Sequence, residues 1–300
     1  MSINNKCYFF NTHLNARLFI ENKNDITDFC SIRECKDIGA SLDVKNVWRQ
    51  MLEICVFLKS NGVVHLNINP DNVWVNLECG DVKFLCYDKS ELTFYRKMNN
   101  DVGTNRVSRI AAEKTLDTLF GQQLSKTMEV VRCSNYVNHF PYVDPVIDCA
   151  KILNIEEYIF IDDKFDVFSS GMTLLSYMID DSLWSNSRNI LCLLKNIRGP
   201  LDPREVWLFG NALKNASIAK GRDLRKNDQY TGILCAMKDS ISGGNIVTNV
   251  EKKITAKYDV GLMKSLLSSI HPVPAYRPNS EELLYNYSSV YTSDIENTTG

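Results

Sequence analysis

The chain has 300 residues, 44% of them hydrophobic, enough for a sizeable buried core in one large domain or two small ones. Its 34 Lys and Arg against 36 Asp and Glu leave a formal charge of −2 and no long basic run, which argues against nucleic acid or an anionic membrane as partner. Ten cysteines occur without a CxxC pair, and the closest, Cys30 and Cys35, have no His at zinc spacing, so free thiols in a reducing compartment are expected rather than a metal site. The cluster Lys220, Arg222, Arg225 and Lys226 is interleaved with Asp223 and Asp228 and reads as a solvated surface. The N-terminal apolar run is too short for a signal peptide, and no stretch approaches the roughly 20 apolar residues of a membrane span. Sequons at Asn215, Asn286 and Asn297 carry little weight in an Asn-rich chain without a secretory signal. A cytoplasmic protein is the expectation.

In chain order, Cys7–Phe10 and Leu18–Ile20 are strand-formers around a polar turn, which predicts a hairpin over 6–20. Val47, Met51, Ile54, Cys55 and Leu58 recur at helical spacing and predict a helix over 44–60, stopped at Gly62. Two short strands follow, Val73–Val75 and Val82–Leu85, around a turn with Gly80-Asp81. The polar stretch 89–140 holds a predicted helix over 108–131. Residues 164–179 are apolar nearly all round, as a helix buried in a large core must be. A helix is predicted behind Pro203, then a polar insertion over 216–258, a helix over 259–270, and a last helix capped by Asn279 or Ser280 with Glu281 and Glu282 in its first turn.

The chemistry should lie in Gly62-Val-Val-His65-Leu66-Asn67-Ile-Asn69-Pro70-Asp71-Asn72-Val73. This segment resembles the protein-kinase catalytic loop, His-Arg-Asp-x-x-x-x-Asn, with its following strand. In that family the Asp accepts the proton of the substrate hydroxyl and the Asn holds magnesium. His65, Pro70 and Asn72 match, whereas Leu66 stands at the Arg position, Asn67 at the Asp and Asn69 at the usual Lys. An amide carries no charge and cannot act as a base at neutral pH. Six residues past Gly80, Cys86-Tyr87-Asp88 falls where the family has its metal-binding Asp-Phe-Gly. Cys86 is a poor magnesium ligand, because the hard ion wants oxygen, and Asp88, two places late, could replace it only if the segment shifts.

Three further segments resemble the family in order. Tyr142-Val-Asp144-Pro145-Val146-Ile147 resembles the end of the activation segment, with Val146 where the family has Glu. Asp166-Val-Phe-Ser-Ser-Gly171 resembles the start of the buried central helix. His271-Pro-Val-Pro274-Ala-Tyr276-Arg277-Pro278 resembles the segment that closes the domain. The family's Arg pairs with that Glu, so Arg277 must here find another carboxylate or face solvent.

The resemblance spans about 60–285. It implies an α+β fold, mostly the α-helical kinase C-terminal lobe over 25–290, with insertions at about 89–140 and 216–258. Residues 1–24 would be a β-hairpin and hinge remnant of the small lobe, Glu21, Asn22 and Lys23 forming the hinge, and 291–300 a disordered tail. Nothing resembles the Gly-rich loop, the strand Lys or its Glu partner, so that half is either truncated or encoded upstream. The expectation is a catalytically dead pseudokinase that binds protein partners as a scaffold, with no cofactor, Asn72 alone being retained of the metal ligands. An active or weakly active Ser/Thr protein kinase using ATP and Mg, with Asp71 or Asp88 compensating and its small lobe absent from this chain, and a fragment without function of its own remain the alternatives.

Overall fold

A computed structural model describes residues 7–9, 18–20, 28–85, 91–92, 94–95, 129–132, 140–179, 187, 189–224, 227–238 and 257–298. The chain opens with β1 (Cys7–Phe9) and β2 (Leu18–Ile20), paired antiparallel with Tyr8 opposite Phe19, as the hairpin pattern requires. β3 (Phe29–Ser31) leads into a short helix, α1 (Ile32–Asp37), that the apolar pattern did not reveal. Its start is fixed by a capping box: Ser31 Oγ accepts from the Glu34 amide while the Glu34 carboxylate accepts from the Ser31 amide. α2 (Val44–Ser60) is capped by Asp43 and buries Val47, Met51, Cys55 and Leu58 of the predicted stripe together with Trp48 and Leu52, while Ile54 is only partly covered.

After β4 (Val63–Val64), β5 (Val73–Asn76) and β6 (Val82–Phe84) form an antiparallel hairpin that β3 completes, with Ser31 opposite Trp74 and Trp74 opposite Lys83. The hairpin turns on Gly80 at φ +77°, a left-handed conformation that favours glycine, and Gln50 Nε2 donates to its carbonyl at 2.8 Å. β7 (Glu91–Leu92) pairs with β4, and β8 (Phe94–Tyr95) with β9 (Glu129–Arg132). The helix predicted over 108–131 is thus corrected at its end, where Val130 and Val131 are strand, and 108–128 lies outside the described residues.

α3 (Pro145–Ile152) starts on Asp144, whose carboxylate accepts from the Val146 amide, with Pro145 in the first turn. A 3-10 turn and β10 (Phe160–Ile161), which pairs with β9, lead to α4 (Asp163–Met178). α4 is the centre of the fold. From Phe165 to Ser176 every side chain is buried, the arrangement its all-round apolar composition predicts. α5 (Ile190–Arg198) and α6 (Pro203–Ala219) follow, α6 under a second capping box of Asp202 and Glu205. α7 (Asp228–Lys238) buries Ile233 and Met237, so the insertion expected over 216–258 is helical at 216–219 and 228–238.

α8 (Val260–Ser269) packs so closely on α4 that a Cβ built at Gly171 would lie 2.0 Å from Ser269 Oγ and 2.9 Å from Ile270 Cγ2. Only glycine fits there. Trp48 Nε1 donates to Ser265 Oγ at 2.9 Å and pins α2 to the same helix. In α9 (Ser280–Thr298) Asn279 is the cap, accepting from the Glu282 amide at 2.9 Å and donating its own amide to Glu282. α9 reaches Thr298, which corrects the disordered tail expected from 291. The fold is mixed α+β and mostly helical, and no helix among the described residues is long and apolar enough to cross a membrane.

Candidate functional site

The loop from His65 to Asn72 leaves β4 and is held from below by the first turns of α4. Asp166 is 2% exposed, and its two carboxylate oxygens accept from the backbone amides of His65, at 2.6 Å, and Leu66, at 3.0 Å. These bonds fix Leu66 at φ +66°, a left-handed conformation costly for a branched side chain. The Leu66 side chain is fully buried, and its apolar burial helps offset that strain. Burial drives the Asp166 carboxyl up to about 7, the two amide donors pulling it back.

His65 is fully buried and meets the Phe84 ring edge-on, 5.7 Å between centroids. Its Nδ1 accepts from the Asn67 amide, which fixes the neutral imidazole, and burial drops its pKa to about 3. It is a structural pin and not a proton acceptor for solvent chemistry.

Asn67, Asn69 and Asn72 form one amide network. Asn69 Nδ2 donates to both the carbonyl and the side-chain oxygen of Asn67, each at 3.1 Å. Asn72 Nδ2 donates to the Asn67 carbonyl at 2.8 Å, and the Asn72 carbonyl accepts from Leu85. Around Asn67 the loop is therefore held by neutral groups, while Asp166 holds its start. Its one carboxylate, Asp71, is exposed and receives both Nε and Nη2 of Arg33 from α1, while the Arg33 amide donates to the Pro70 carbonyl. Among the described residues the arrangement offers no base at Asn67, whose amide carries no charge, and no cluster of anionic oxygens for a hard cation. Among the described residues no three His, Cys, Asp or Glu side chains stand together as a metal site. Glu21, Asn22, Lys23, Cys86 and Asp88 lie outside the described residues.

Arg277 sits at a second polar centre. It is 1% exposed, its Nη1 lies 2.7 Å from Asp144 Oδ2, and it donates further to the carbonyls of Lys164 and His271. The guanidinium stacks 4.8 Å from the Phe168 ring centroid. Burial raises the Asp144 carboxyl and the Arg277 charge pulls it back. Of the two outcomes open to Arg277, the carboxylate partner is the one observed, two residues before Val146, which is itself fully buried. His271 adds a bond from Nε2 to Glu205 at 2.9 Å, and burial together with Arg198 and Arg277 lowers its pKa to about 3.

Arg33, Asp144 and Glu205 were not singled out from sequence. Two of them had a local signal, an acid directly before a proline for Asp144 and the capping pattern Asp202-x-x-Glu205 for Glu205. No protein-family model matches the chain, and no curated protein sequence matches it.

Proposed function

We propose that the chain is a catalytically dead protein-kinase-like domain, built mainly as the C-terminal lobe, that acts in the cytoplasm as a protein-interaction or regulatory scaffold. The observation that carries this reading is that the four kinase-like segments of the sequence are joined through buried polar contacts. Asp166 ties the loop 65–72 to the central helix α4. Arg277 ties the closing segment to Asp144, at the head of α3, and to the Lys164 carbonyl at the start of α4. Segments alike only by chance would have no reason to converge in that way.

Inactivity is supported by the amide at Asn67, bonded into the loop, and by a histidine too buried to take a proton near neutrality. Cys86 in place of a metal-binding acid supports it from sequence alone. The partner is a protein, with no nucleic acid, membrane, ATP or Mg required.

A thermal-shift titration with Mg-ATP, run beside a label-transfer assay on generic protein acceptors, tests this. No transfer and no stabilisation are expected, whereas a ligand at about 100 times its Kd would add roughly 2.7 kcal/mol. Transfer that Asn72→Ala abolishes would sink the proposal in favour of a weakly active kinase.

A further inference from the structure

The first turn of α1 carries a feature that the kinase-like reading does not use. With Ser31 as the cap of the box, Cys30 is the residue before the cap and Cys35 the fourth residue of the helix. These are the two positions whose side chains pack together as a hydrophobic staple. Here both are thiols. Cys35 Sγ lies 3.8 Å from the Cys30 carbonyl oxygen. Cys35 is fully buried, Cys30 is partly exposed, and both are free in this structure.

We propose that Cys30 and Cys35 are a redox-sensitive staple that a peroxide closes into a disulfide, fixing α1 and, through it, the loop 65–72. Peroxide reaches the partly exposed Cys30 first. The Cys30 sulfur attacks one peroxide oxygen, the O–O bond breaks, and sulfenic acid and water result. The Cys35 sulfur then displaces the hydroxyl from Cys30 as a second water, so two thiols are oxidised and one peroxide is reduced. Burial, with Cys30 nearby, pushes the Cys35 thiol up to about 11, which makes closure the slow step and faster at higher pH.

The consequence travels through two side chains of α1. Arg33 holds Asp71 and the Pro70 carbonyl, and Lys36 Nζ donates to the carbonyls of Ser176, at 2.5 Å, and Ile179, at 3.1 Å, at the end of α4. A covalent staple narrows the motion of both anchors. This inference stands independently of the kinase-like reading.

The test uses the full reduced chain treated with hydrogen peroxide, mapped by mass spectrometry after alkylation, and followed by amide exchange. A Cys30–Cys35 bond is expected before any pairing of the exposed Cys79 or Cys235. Exchange across Ile32–Asp37 and His65–Asn72 should slow by about tenfold and recover with dithiothreitol. Cys35→Ser and, as a milder change at the exposed end, Cys30→Ser should each remove the bond and the slowing. A dimedone-trapped Cys30 sulfenic acid that never closes would overturn the proposal. So would closure only in urea, or a bond that leaves exchange in 65–72 unchanged or faster.

Discussion

On the kinase-like reading proposed above, the loop at His65–Asn72 and the buried pair at Arg277 both stand where an acid would be expected, and they handle charge in opposite ways. In the loop Asn67 stands at that position, joined to Asn69 and Asn72 by neutral amide bonds, and the charged contacts, with Asp166 and Arg33, lie at the two ends of the loop. At Arg277 the charge persists: Val146 is apolar, but Asp144 supplies a carboxylate 2.7 Å from the guanidinium. The difference follows from burial. A guanidinium in the core cannot lose its proton and cannot stand without a counter-charge, so the fold must provide one from wherever the chain allows. Asn67 is partly exposed and has no charge to compensate, so neutral hydrogen bonds suffice around it.

The sharpest way to break this contrast is Asp144→Ala. It leaves Arg277 charged and uncompensated in the core and removes the cap of α3. A loss of about 3–5 kcal/mol is expected in urea unfolding. Replacing the pair together, as Asp144→Asn with Arg277→Met, should return a large part of it. A loss under about 1 kcal/mol for Asp144→Ala would mean that the carbonyls of His271 and Lys164 suffice for the guanidinium.

Asp166→Asn addresses the loop side. An amide can accept both backbone donors through only one oxygen, so about 1–3 kcal/mol should be lost, together with slower-forming protection of His65 and Leu66 in amide exchange. The pH profile gives a second reading. Asp166, near 7 in the fold, and Asp162, also raised by burial and by Asp163, both lie above the ordinary carboxylate value, so on their account stability rises as pH falls from about 7 towards 4. His65 and His271 sit near 3 when folded, so the stability they contribute is present above about 6.5 and is lost as pH falls from there towards 3. Over about pH 4–6.5 the two pairs oppose, and the intact chain should show a shallow profile. Asp166→Asn removes one acid and should tilt it, costing up to about 1.4 kcal/mol per pH unit of acidification in that window. A profile as shallow as that of the intact chain would show that Asp166 does not titrate there.

Much of this contrast was legible in the sequence, and its reasons are local. The stripe of α2 and the all-round apolar run of α4 repeat a helical period over many residues, so burial follows from pattern. α1 and α3 are too short for a period to register, and only their caps, Ser31 with Glu34 and Asp144 before Pro145, announce them. Val130 and Val131 ended as strand because Phe94–Tyr95 and Phe160–Ile161, remote in sequence, supply the pairing. The partner of Arg277 was beyond reach for the same reason: the sequence left a carboxylate or solvent open, and the choice of Asp144 depends on how α3 meets the end of the domain.

Asn67→Asp should have the smallest effect and tests the meaning of the contrast most directly. The new carboxylate keeps the acceptor that Asn69 Nδ2 already uses, and Asn72 Nδ2 bonds the backbone carbonyl, which the substitution does not touch. Stability should therefore change by less than about 1 kcal/mol. No phosphoryl transfer should appear, because a base alone supplies neither phosphate positioning nor neutralisation of its charge. Transfer restored by this single change would mean that the rest of a working site is intact, and that the loop, unlike the Arg277 pair, had lost one atom's chemistry and nothing else.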